Sequence, residues 1–145
     1  MKILTTRRKL TPPTLEAVTS FENTIALSLP NSLKSFLLSY NFIDTIENVF
    51  VTDNKKVYYV DVFYPFATNY NLSLQAVFYA LNHYFEGKYL PFANDSGGWQ
   101  YVIGILEDVR GQVFFCRMDS ELPNSLIKLT DTLDEFIDRL QVNCI

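Results

Sequence analysis

At 145 residues, 48% of them hydrophobic, the chain is expected to form one domain (1–145) with a single core, and with no apolar run near the roughly 20 residues of a membrane span and no export signal at Met1 to Lys9, that domain is expected to be soluble and cytoplasmic. The net charge is −4, but Lys2, Arg7, Arg8 and Lys9 put four of the twelve cations in the first nine residues and leave −8 on the rest. An acidic body repels a nucleic-acid backbone and steers toward a basic protein surface, so residues 1–10 read as a loosely ordered basic segment, not a nucleic-acid arm.

Thr11-Pro12-Pro13 can start a helix, with Thr11 as cap and proline tolerated in the first turn. Leu15, Val18, Phe21 and Ile25 then recur at helical spacing, and Pro30 opens a second helix with Leu33, Phe36, Leu37 and Tyr40 on one stripe. Phe50 to Thr52 and Lys55 to Phe63 read as antiparallel strands around an Asp53-Asn54 turn. Pro65 should stop that ladder, because it has no amide proton to donate.

A third helix, with Ser73 as cap, carries Leu74, Val77, Phe78, Leu81 and Phe85 and ends before Gly87. Next comes LPFANDSGGWQYVIGI, residues 90–105, read as strand, turn and strand, with Asn, Asp and paired glycines suited to the left-handed positions of a turn. The turn Asp108-Val109-Arg110-Gly111 leads into a strand from Gln112 to Met118. Thr132 to Glu135 has capping-box spacing before a last helix with Leu133, Phe136, Ile137 and Leu140 on its inner face. The order α-α-β-β-α-β-β-β-α is α+β, a mainly antiparallel sheet flanked by about four helices.

No catalytic constellation emerges. His83 is the sole histidine and falls off the apolar stripe of its helix; neither Cys-x-x-Cys nor His-x-x-x-His occurs, so no metal or other cofactor is expected. Ser96 is not in a G-x-S-x-G elbow, and Gly97-Gly98 belongs to no phosphate-binding motif. Cys116 and Cys144 read as reduced thiols. The acidic residues Glu107, Asp108, Asp119 and Glu121 read as a solvated face able to meet a partner. Nine tyrosines exceed what one small core needs, which makes Tyr58, Tyr64, Tyr70 and Trp99 candidate anchors for a protein partner, with Asp95 the polar candidate beside them.

Several segments, in order, resemble the SUKH superfamily of Smi/Knr-like and toxin-immunity proteins. Leu90-Pro91-Phe92-Ala93-x-Asp95-x-x-Gly98 is similar to its PFA-x-D-x-x-G pattern, and Leu29-Pro30 with Leu33, Phe36, Leu37 and Asn41 to its LP helix, seven residues after Glu22. Val113 to Phe115 with Asp119, and Leu133 to Leu140, resemble its later strand and closing helix. The resemblance implies a non-enzymatic immunity protein that binds a cognate, basic toxin, with a regulatory or scaffold module of the same fold as the alternative. Where the family has Asn-Gly after the second helix, Asn41 is followed by Phe42, so Asn41 itself is expected to take the left-handed position.

Overall fold

The computed structural model describes residues 1–68 and 70–143. Three of its helices start where a side-chain oxygen can hold a free amide. Thr14 caps α1 (Leu15–Ile25) by accepting from the Ala17 N–H at 3.1 Å. The start lies beyond Thr11 because Thr11 and Pro12 each precede a proline and are pushed toward extended backbone. α2 (Asn31–Ser39) opens on Pro30 without a side-chain cap. Ser73 caps α3 (Leu74–Phe85), and Thr132 caps α4 (Leu133–Asp138) through the Glu135 N–H at 3.0 Å.

Among the described residues, eight strands form two antiparallel sheets, an α+β fold as expected. β1 (Glu47–Val51), β2 (Val57–Tyr59) and β8 (Leu140–Val142) run in the order β2-β1-β8. β3 (Val62–Phe63), β4 (Tyr89–Asn94), β5 (Gln100–Gly104), β6 (Val113–Cys116) and β7 (Leu126–Thr130) form the second sheet in sequence order. The expected single strand from Lys55 to Phe63 is two strands. Val60 donates its N–H to Asn48 O, whereas the next amide, Asp61, donates to Asn94 O, so the chain changes sheets between them. β7 and β8 are additions to the expected order. Leu140 leaves the last helix to start β8 opposite Phe50.

β5 is buried along its whole length because both faces of the larger sheet are covered. Phe85, Tyr89, Val102, Phe114 and Cys116 pack on one face, with Leu81 and Tyr84 of α3 against them. On the other, Tyr101 and Phe92 meet Phe136 of α4, which stacks on Phe50 at 5.1 Å. Gly104 ends β5 where no side chain fits: an added Cβ would lie 2.0 Å from Val109 O.

The N-terminal segment departs from its expected loose order. Leu4 is buried, and Thr6 and Lys9 make antiparallel bridges to Thr45 and Phe42. Its cations do not act as a uniform solvated run, because Arg8 pairs with Asp44 at 3.4 Å and the apolar Leu4 has a place in the core. Glu47 accepts from the Thr5 N–H and hydroxyl; burial works to raise its carboxyl, but these bonds outweigh it and hold the group below the usual carboxylate range.

Two buried polar side chains hold the helical segment together and fasten it to the chain beyond β3. Glu22 is 8% exposed; it accepts the Leu29 N–H at 2.7 Å and pairs with Lys34 at 3.1 Å, closing the α1–α2 connection. Asn41 is not left-handed, contrary to expectation: among the described residues, the left-handed positions other than glycine are Ala26, Lys55 and Glu86. α2 instead ends at extended Tyr40, and the Asn41 side chain makes a three-way clasp. Its amide nitrogen donates to Thr11 O (2.8 Å) and Phe66 O (2.9 Å), and its oxygen accepts the Phe66 N–H (2.9 Å). Phe42 can follow because no glycine is needed once the side chain supplies the turn.

Candidate protein-interaction surface

The β4–β5 turn is built by Asp95. Its Oδ1 accepts the N–H groups of Gly97 and Trp99, both at 2.9 Å, while Asp95 N–H donates to Trp99 O and Gly98 N–H to Asp95 O. Only the second of the paired glycines uses positive φ, Gly98 at +89°. One oxygen of the best polar candidate is therefore committed to holding Trp99 at the start of β5.

Trp99 stands half-buried beside a hollow of about 270 Å³ at the junction of the two sheets. Its floor is aromatic: Tyr58, Trp99 and Tyr101 each pack against Phe115, with ring centroids 5.0 to 5.9 Å apart. Tyr101 is fully buried and its hydroxyl donates to Tyr59 O at 2.5 Å, joining the larger sheet to β2. Burial pushes the Tyr101 phenol far above its ordinary value, with the nearby Asp95 charge acting in the same direction. Lys56, Arg117 and Asp95 supply the charged lining, and Val57, Tyr59, Ser96 and Ile127 the rest of the rim.

Of the sequence-predicted residues, Tyr58, Asp95 and Trp99 meet at this hollow, although Tyr58 is only 6% exposed and serves as floor, not as a projecting anchor. Tyr64 is a correction: it is buried, donates its hydroxyl to Gln100 Oε1 at 2.6 Å, and belongs to the core, with burial pushing its phenol up to about 12. It sits one residue past β3, where Tyr64 N–H still bonds Phe92 O and the chain lies under its neighbours. Tyr70 is half-buried in the β3–α3 connection and is not part of the hollow.

Glu107, Asp108, Asp119 and Glu121 are exposed, but not beside the aromatic floor. Glu107 and Asp108 follow β5, at the far end of the hairpin from Asp95, a separation of roughly 17 Å at about 3.3 Å per residue. Asp119 and Glu121 lie in a connection that Tyr84 of α3 anchors by donating to Ser120 O, which draws it toward the opposite face of the sheet. These acidic turns thus lie apart from Trp99 instead of forming one patch with it.

Tyr59, 51% exposed at the rim of the hollow, is a candidate that the sequence alone did not single out. Its signal was present in the alternation of Lys55 to Phe63, which sets Tyr59 on the same side as Asp61 and opposite Tyr58.

Among the described residues, no three His, Cys, Asp or Glu side chains gather as a metal site. No helix of the described residues is long and apolar enough to cross a membrane. Cys116 is a buried free thiol beside Tyr84 and Ser125, and burial pushes it up; Cys144 lies outside the described residues.

Residues 12–139 match the SMI1 / KNR4 family (SUKH-1). The chain belongs to that family. No curated protein matches it. Within the matched span, Glu22 and Asn41 hold backbone groups, and Asp95 closes the turn beside the hollow. The segments that carry the family resemblance therefore build the frame, while much of the rim is contributed by β2 and β7.

Proposed function

We propose that this SUKH-1 chain is a non-enzymatic immunity protein that binds and neutralises a cognate toxin domain of basic, nuclease-like character in the bacterial cytoplasm, without a cofactor. The observation that carries the reading is the aromatic hollow beside Trp99 with exposed Tyr59 at its rim, a concave anchor site of the kind that concentrates binding energy between proteins. Family membership supports it, since the resemblance implies immunity. Inhibition is by occlusion. The exposed carboxylates Glu107, Asp108, Asp119 and Glu121 steer a basic toxin over long range, and the Trp99 region holds it across its active site.

The test is co-expression with the toxin domain encoded by a neighbouring gene. The expected result is restored growth and a stable complex, with protection weakened by Trp99→Ala and Tyr59→Ala. Continued toxicity in the presence of folded protein refutes the reading, and capture of several endogenous proteins without any toxin supports a regulatory scaffold instead.

A further inference from the structure

The charge of the hollow opposes that of the molecule. Outside the first nine residues the chain carries −8, yet the charged groups lining the hollow are Lys56, Arg117 and Asp95. Asp95 already holds two turn amides through Oδ1. Among the described residues, Lys56 and Arg117 enter no ion pair, although the neighbouring cations Lys128 and Arg139 are matched with Asp131 and Asp53. Arg117 also has a buried Nε without an acceptor, its Nη2 reaching only Asn124 O at 3.4 Å.

The adjacent main chain is open as well. β2 is an edge strand. Lys56 O and Val60 N–H bond toward β1, so the alternation of an antiparallel ladder turns the groups of Val57 and Tyr59 the other way. Tyr59 C=O is taken by the Tyr101 hydroxyl, which leaves the Tyr59 N–H and both Val57 groups at the rim.

We propose that the hollow and the β2 edge together receive an extended segment of the protein partner, one that carries an apolar or aromatic side chain next to an acidic one. The segment adds to β2 as a strand, its apolar side chain enters the space over Phe115, and its carboxylate meets Lys56 and Arg117. A hollow of about 270 Å³ suits a single large side chain. Charge complementarity selects the acidic neighbour, so a partner that is basic overall still docks here through a locally acidic strand. The inference rests on the reading that the chain works by binding a protein, but does not depend on that protein being a toxin.

The experiment is selection from a random heptapeptide display library against the whole chain, with binding of the selected peptides followed by the fluorescence of Trp99, the sole tryptophan. The expected result is enrichment of Asp or Glu beside Phe, Trp, Leu or Ile, and a Trp99 signal change. Affinity should drop at least tenfold in Lys56→Glu and in Tyr59→Glu, both exposed positions whose substitution spares the core. Enrichment of basic peptides, no enrichment, an unchanged Trp99 signal, or affinity unaltered by both substitutions overturns the proposal. Toxin neutralisation that survives Lys56→Glu defeats this docking mode alone, whereas failure of the wild-type chain to neutralise defeats the immunity reading.

Discussion

Asn41→Ala should destabilise the protein by about 3–4 kcal/mol. The substitution removes three hydrogen bonds of 2.8 to 2.9 Å. It strands the N–H and C=O of Phe66, a residue only 8% exposed, while Thr11 O can turn to water. A net bond contributes about 1 kcal/mol and a buried group left unmatched costs about 1–3 kcal/mol, which sets the range. At about 2.1 cal/mol/K per residue, a chain of 145 residues has an unfolding entropy near 0.3 kcal/mol/K, so the midpoint should fall by about 10 °C. Thermal unfolding by circular dichroism, paired with urea titration, measures both quantities. Asn41→Asp sharpens the test, because it sets a carboxylate against the carbonyls of Thr11 and Phe66. The charged form is disfavoured in the fold, so its deficit relative to wild type should be largest at neutral pH and shrink as pH falls through the carboxylate range. Asn41→Gly should be at least as damaging as Asn41→Ala. A loss under 1 kcal/mol for Asn41→Ala, or a neutral Asn41→Gly, refutes the clasp.

Glu22→Ala should cost about 2–3 kcal/mol by orphaning the buried Leu29 N–H, whereas Glu22→Gln keeps an acceptor and should cost about 1 kcal/mol; equal losses in urea titration would mean that the Lys34 pair, not the amide bond, matters. Gly104→Ala should lower stability by about 3 kcal/mol or more, because the new methyl meets backbone at Val109; a midpoint within 3 °C of wild type contradicts the close approach. Alkali should unfold the protein through its buried phenols. Burial pushes the Tyr64 phenol up to about 12 in the fold against 10 when unfolded, so its contribution is intact below pH 10 and falls by about 2 kcal/mol as pH rises through 12. Tyr101 acts in the same direction, and Tyr64→Phe should give a shallower decline of stability from pH 10 to 12; an unchanged slope counts against it.

Local chemistry was legible where one segment decides the outcome. The caps at Ser73 and Thr132, the Asp53-Asn54 turn, the break at Pro65 and the β4–β5 turn all depend on residues within a few positions of one another. What escaped depends on partners far along the chain. The sheet change between Val60 and Asp61 is set by Asn48 and Asn94, which alternation within one strand does not contain. Leu140 fits a helical stripe as well as it fits β8, and tertiary pairing with Phe50 decides between them. Asn41 looked like a backbone problem because its side-chain partners, Thr11 and Phe66, lie 30 and 25 residues away. The site divided in the same manner: Trp99 and Asp95 were found from their own turn, while Tyr59, Lys56 and Arg117 became neighbours only through the meeting of two sheets.

The hollow separates what can vary from what cannot. Tyr101 and Phe115 at its floor also join the two sheets, so altering them threatens folding before it alters recognition. Lys56, Val57, Tyr59 and Ser96 at the rim are exposed, and substitutions at such positions usually shift stability by no more than about 0.5 kcal/mol. A lineage following a changing partner can therefore rewrite the rim one residue at a time, each intermediate still folded. Selection would then leave a fixed aromatic floor beneath a diversifying edge, a pattern that sequences of close relatives can display.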